Sequence, residues 1–225
     1  MYRVYILIFI AWISNSGLCF GQEYFRLKAD FTVKIKQSDG TMTLTKGKLY
    51  YDKNFKELIY DITFPETEKW VSRDTSLYKI RQDTVFERVT IPSINEFTVF
   101  HLSLNAGLND YGLKNSIYRI HKVEKKDDLI LSWWNIPEQI GAVMDYVVIA
   151  KKENRLESVV MIGDNEKIIS KQFFRDYTHI DAFEFPQQII QIVYDETGGE
   201  NYQVTEFNNL VVNDMNDNDL YHVSF

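Results

Sequence analysis

The chain has 225 residues, 45% hydrophobic and 15% aromatic, and a formal charge of −7 from 25 Lys+Arg against 32 Asp+Glu. That balance speaks against a nucleic-acid partner, whose phosphates require clustered positive charge, and its sign opposes docking by overall charge on an anionic membrane surface. The single cysteine, Cys19, allows no internal disulfide and no thiolate metal cluster, so stability must come from a packed core, for which about 200 residues suffice as one domain.

Arg3 precedes an unbroken apolar run, Val4–Ile13, which is about half the ~20 residues a membrane-spanning helix needs. Polar Ser14, Asn15 and Ser16 follow, then Cys19-Phe20-Gly21 and Gln22. Small residues at the first and third positions before a cut predict a secretory signal peptide over 1–21, cleaved after Gly21, and a single domain over 22–225. Lipidation at Cys19 is the alternative, and Leu18 stands where that reaction needs a small residue. A retained anchor is a third. Without Arg3 and with no further cysteine, the mature chain carries 24 Lys+Arg and a charge of −8.

The next segment alternates strictly. Phe25, Leu27, Ala29, Phe31, Val33 and Ile35 point one way, and Arg26, Lys28, Asp30, Thr32, Lys34 and Lys36 the other. One apolar face and one wet face predict an antiparallel strand. Ser38-Asp39-Gly40 supplies a turn. A second strand covers Thr41–Thr45 and Gly47–Tyr51, with Gly47 as a bulge or bend. A third covers Lys56–Phe64, with Leu58, Tyr60, Ile62 and Phe64 on one face and Pro65 ending it. Trp70–Ser72 and Ser76–Arg81 follow as short strands.

From Ser93 to Ala106 the rhythm changes. Ile94, Phe97, Phe100 and Leu104 recur at helical spacing, Ser93 with Glu96 reads as a capping box, and Gly107 can end the helix. Val99–Leu104 could also alternate as a strand. Strand patterns return at 117–123, 128–134, 142–151, 155–162, 167–176, 187–194 and 201–212, separated by turn signals. The Asn- and Asp-rich tail from Asn213 is expected on the surface. The sum is about eleven strands in a meander with one inserted helix, an α+β domain dominated by antiparallel sheet.

Candidate chemistry is sparse. His101, His121, His179 and His222 are scattered without metal-ligand spacing. No Gly-x-Ser-x-Gly elbow or phosphate-binding loop is present. Asp214, Asn216, Asp217, Asn218 and Asp219 lack the glycine and distal glutamate of a calcium loop. Lys122, Lys125, Lys126, Asp127 and Asp128 read as a solvated turn. No catalytic set, metal or cofactor is expected, and the chain does not read as an enzyme.

The order of elements from Phe31 to Tyr78 resembles the periplasmic outer-membrane lipoprotein carrier (LolA-like) family. The residues concerned are Phe31-Thr-Val-Lys-Ile, Gly47-Lys-Leu-Tyr-Tyr, Leu58-Ile-Tyr-Asp-Ile-Thr-Phe-Pro65, Trp70-Val-Ser and Leu77-Tyr78, with Tyr202–Val212 like the family's closing strand. The resemblance implies a strongly curved antiparallel sheet forming an unclosed β-barrel, with a helical lid on the concave face over a hydrophobic cavity for acyl chains. It implies an acylated lipoprotein or lipid ligand, loading and unloading partners at the inner and outer membranes, and a soluble monomer in the periplasm. The chain departs from the pattern in lacking a helix before the first strand. It also has Asp52-Lys53-Asn54-Phe55 where the family places an arginine and proline that help set the lid.

On that reading the cavity wall would comprise Phe31, Val33, Ile35, Leu58, Tyr60, Ile62, Phe64 and Trp70, with Phe97, Phe100 and Leu104 under the lid and Trp133 and Trp134 at a rim. The same alternation also fits a sheet whose core is simply filled, and both remain open at this level. The alternative function is a cell-envelope interaction or sensor module on the same half-barrel, without lipid transport.

Overall fold

The computed structural model describes residues 23–91, 98–135 and 145–224. The signal-peptide expectation, Ser93, Ile94, Glu96 and Phe97 lie outside the described residues.

The alternating first segment forms β1 (Arg26–Lys36), with Leu27, Ala29 and Phe31 buried on one face. Hairpins then add β2 (Met42–Asp52), β3 (Glu57–Phe64), β4 (Glu68–Arg73), β5 (Ser76–Arg81) and β6 (Thr84–Thr90) in succession. The chain crosses through helix α1 (Val99–Leu104) to the opposite edge. It returns through β7 (Arg119–Lys126), β8 (Leu129–Asn135), β9 (Tyr146–Lys152), β10 (Arg155–Gly163), β11 (Lys167–Ile180), β12 (Phe183–Tyr194) and β13 (Glu200–Val212).

Among the described residues these make one thirteen-stranded sheet, ordered β6-β5-β4-β3-β2-β1-β13-β12-β11-β10-β9-β8-β7. Every pairing is antiparallel, and the first and last strands meet near the centre, with Phe31 opposite Phe207. β6 and β7 are consecutive in the chain yet form the two free edges, so the curved sheet is an unclosed barrel.

The expected count of about eleven strands rises to thirteen, chiefly through β6. All seven residues of β6 are exposed, so no buried face imposes a pattern there. Its turn uses Gln82 and Asp83, both at positive φ (49° and 57°), as a tight two-residue hairpin requires. β12 also begins earlier than position 187 and runs through Pro186. β13 pairs only with residues 188–194 of β12, so the missing N–H of Pro186 falls on a locally free edge.

The concave face carries two cores that meet at α1. One gathers Leu27, Phe31, Leu49, Tyr51, Leu58, Ile62, Phe100, Leu104, Phe183, Phe185 and Phe207. The other gathers Leu102, Leu108, Leu113, Trp134, Ile149, Leu156, Val159 and Phe174.

A third cluster lies on the opposite, convex face, where Tyr50, Ile59, Val71 and Ile80 pack against Tyr221. The tail is exposed over 215–219 as expected, but it is anchored on either side, because Tyr221 is fully buried and Asp214 nearly so. Buried charges hold it down. The Arg26 guanidinium pairs with Asp52 at 2.9 Å, donates to the Asn218 side chain and the Asp214 carbonyl, and lies 4.5 Å over the Tyr221 ring. Buried Glu57 accepts from Arg73 and from the Val223 amide and meets His222 at 2.9 Å.

Candidate functional site

α1 places side chains on the concave face. Thr98 caps it, its hydroxyl accepting from the His101 amide at 3.3 Å. Among the described residues the helix spans 99–104 and stops short of the expected end at Ala106; the expected start over 93–97 lies outside them. Its exit is a Schellman turn: the Gly107 amide donates to the Leu102 carbonyl and the Ala106 amide to Ser103. Ala106, not Gly107, takes the left-handed conformation, at φ 53°. Two short 3-10 turns, Leu108–Asp110 and Leu113–Asn115, continue across the sheet.

The helix is pinned from both sides. Phe100 sits among Phe185, Phe207 and Tyr51, with ring centroids 5.5–6.2 Å apart. Leu102 faces the second core. The Tyr51 hydroxyl lies 2.8 Å from His101 Nδ1, a polar tie between β2 and the helix.

Beside the helix end opens a cleft of about 560 Å³. Its floor is apolar, made by Leu104, Leu108, Leu156 and Phe183, with Tyr24 and Tyr177 as walls. The Tyr177 hydroxyl donates to the Leu156 carbonyl at 2.7 Å, and burial pushes its pKa up. Tyr24 packs against Phe183 with the rings tilted and their centroids 5.2 Å apart. The rim is polar: Glu23 and Lys53 form a 3.1 Å ion pair, and Asn105, Asn109, Asn154 and Glu184 complete it. The buried Ser103 hydroxyl, on the same lining, has no hydrogen-bond partner among the described residues. An apolar floor under a polar rim suits an amphiphile better than a purely polar ligand.

The residues named from the sequence are distributed unevenly. Phe31, Leu58, Ile62, Phe100 and Leu104 are buried together, and Val33, Tyr60 and Trp70 pack against them. That region is filled by side chains. Burial pushes the Tyr60 phenol up to about 12.

Ile35 lies in a separate shallow groove with Met42, Leu44, Tyr202 and Val204. Phe64 does not share the face of Ile62. The β2–β3 register slips between Lys46 and Gly47, so Phe64 pairs with Lys46 and Ile62 with Gly47, leaving Phe64 47% exposed. Trp134 is buried in the second core, whereas Trp133 turns to the other face beneath Lys122. Adjacent strand residues cannot share a rim.

Among the described residues of the named set, only Leu104 lines the cleft. Phe183 and Phe185 could have been found from their alternation; starting that strand after Pro186 hid them. Tyr24, Leu108, Leu156 and Tyr177 carry no local signal, since β10–β12, the crossing segment and the residues just before β1 meet only in three dimensions.

No family model and no curated protein matches the sequence. Solved structures do. A LolA superfamily protein from Nitrosomonas europaea aligns at TM-score 0.56 and 14% identity, over 90% of this chain and 92% of that one. A DUF1329 family protein from Desulfovibrio piger aligns at TM-score 0.59 and 15% identity, over 89% and 91%. A putative outer membrane lipoprotein-sorting protein domain from Vibrio parahaemolyticus aligns at TM-score 0.58 and 12% identity, over 87% and 89%. The chain has the LolA-type fold, the unclosed antiparallel half-barrel with helical elements over its concave face.

Proposed function

We propose that this protein is a periplasmic carrier or binding protein that shelters the acyl part of a lipoprotein, or of a related lipid, for transfer toward the outer membrane. The cleft beside α1 carries the reading. An acyl chain in water costs about 0.8 kcal/mol per exposed CH₂, and a carrier must cover it without a catalytic group. A methylene occupies roughly the volume of a water in the liquid, on the order of 30 Å³, so 560 Å³ accommodates about one chain of ordinary length. The cleft abuts the first core through Leu104 and Phe183. Further chains would enter only by parting Phe100 and Leu104 from the sheet.

On this reading the chain is exported, loses residues 1–21 after Gly21, and diffuses as a monomer between a loading partner at the inner membrane and an unloading partner at the outer. Native mass spectrometry of the periplasmic protein, with titration of a fluorescent fatty acid, tests it. The expected result is a co-purifying lipid or lipopeptide and saturable binding, both lost in Ala182→Trp, which fills the cleft from an exposed wall position. A ligand-free protein that takes up no fatty acid would overturn the carrier. The filled first core supports a second reading, a cell-envelope interaction or sensor module on the same half-barrel, and that outcome would leave it standing.

A further inference from the structure

The two free edges of the sheet differ in charge. β6 holds Glu87 and Arg88 and is neutral. β7 holds Arg119, Lys122, Lys125 and Lys126 against Glu124 alone, a net +3 within a chain of −7, so everything else sums to −10. All eight residues of β7 are exposed. Lys122 is paired with Glu124 at 2.7 Å; at the hairpin tip Asp127 and Asp128 bring residues 119–135 as a whole to +1, and Asp128 is paired with Lys152 of β9. The average charge that opposes an anionic surface therefore conceals one strand of the opposite sign.

The same hairpin leaves aliphatic side chains uncovered. Register sets Ile120 opposite Trp134, Val123 opposite Ser132 and Lys125 opposite Ile130. Trp134 belongs to the concave-side core and bonds Ser132 at 2.9 Å. Ile120, Val123 and Ile130 therefore project on the concave side, where they are 54%, 57% and 44% exposed; Ile117, just before the strand, is 53% exposed. Lysines on an edge strand deter edge-to-edge pairing, but that role does not call for four exposed β-branched residues beside them. By the same register only Lys125 shares the concave side with these aliphatic groups, whereas Arg119 opposite Asn135, Lys122 opposite Trp133 and Lys126 opposite Leu129 lie on the convex side. An approach by the free edge itself presents both sides to an anionic bilayer, with charge attracting the headgroups and the apolar groups entering the acyl boundary.

We propose that the β7–β8 hairpin docks on anionic lipid membranes. Coulomb attraction at Arg119, Lys122, Lys125 and Lys126 brings this edge to the surface, while the −10 elsewhere turns the rest of the molecule away. The free edge of β7 then meets the lipid, with Ile120 and Val123 on its concave side and Arg119, Lys122 and Lys126 on its convex side. The inference does not rest on ligand uptake, because its surface lies apart from the cleft.

Flotation of the purified mature protein with phosphatidylglycerol/phosphatidylethanolamine vesicles, against phosphatidylcholine vesicles, tests it. The wild type is expected to float with the anionic vesicles and not with the neutral ones. Lys122→Gln with Lys125→Gln should weaken binding roughly 25-fold, two cations at about fivefold each. High salt should act in the same direction. Ile120→Asn with Val123→Asn should remove what persists at high salt. All four positions are exposed, so unchanged thermal melting will show that the variants fold.

No flotation with anionic vesicles, equal flotation with neutral ones, or variants that float like wild type would each overturn the proposal. So would loss of a protein partner with vesicle binding intact, which would reassign the edge to that protein. The hairpin variants are expected to keep fatty-acid binding in the absence of vesicles. Failure of the carrier and failure of the docking surface thus give separate results.

Discussion

A Cβ placed on Gly47 would lie 2.1 Å from the Asp61 carbonyl oxygen and 2.9 Å from Ile62 Cα. β3 presses closest on β2 where the register slips, and no side chain fits between them. Gly47→Ala is expected to cost about 1–3 kcal/mol, read as a lowered urea midpoint at unchanged slope. The sequence marks Gly47 as a bend but cannot mark its consequence for Phe64, because the slip belongs to the pairing of two strands and not to either one. Phe100, legible from helical spacing, fills the space between α1 and the sheet. Phe100→Ala should cost about 3–5 kcal/mol in the same assay.

The buried phenols give a test by pH. Burial pushes Tyr60 and Tyr111 up to about 12, the bond from Tyr111 to Gln172 partly opposing this. An unfolded tyrosine titrates near 10. The contribution of these groups to stability is therefore whole below about pH 10 and is lost as pH rises through about 12. Ultraviolet titration should show a late phenolate fraction that shrinks in Tyr60→Phe; a variant that titrates like wild type would contradict the assignment.

At the scale of elements, the tail from Asn213 was legible in part. Its Asn216–Asp219 run is exposed as expected, yet Asp214 and Asn218 bond Lys28 and Arg26 beside one buried ring, Tyr221, which packs against the β2–β5 surface. Nothing in a polar run announces which aromatic at its end will be buried. The tail also has a predictable pH response. The Lys28 ammonium, bonded to Asp214, holds that carboxyl below the ordinary carboxylate range, with the Asn216 amide adding to the effect. A lowered carboxyl stabilises the fold above its unfolded pKa, near 3.9, and ceases to do so as pH falls through the lowered value. Limited proteolysis should cut the tail more readily below about pH 4 than at neutrality. Asp214→Asn should loosen it at neutral pH and remove that step.

For the molecule as a whole, the antiparallel class and most strand positions were legible, because a half-buried strand must alternate. The pairing of β1 with β13 was not, since it joins residues as far apart in the chain as Leu27 and Val212. Local pattern carries no record of such a contact. The central seam, flanked by β2 and β12 and covered by α1, should be the most protected part of the sheet. Amide hydrogen exchange is expected to be slowest in β1, β2, β12 and β13 and fastest in the edges β6 and β7. Equal exchange across the sheet would contradict the topology.

That seam also sets an order of events during synthesis. β1 leaves the ribosome ahead of β2–β12, and its second neighbour, β13, only after all of them. At about 5–20 residues per second the wait is on the order of ten to forty seconds. Through that interval the leading half can form hairpins but cannot complete the sheet. The polypeptide consequently stays threadable for most of its synthesis, the condition a chain must meet to pass through a narrow translocation channel before it folds.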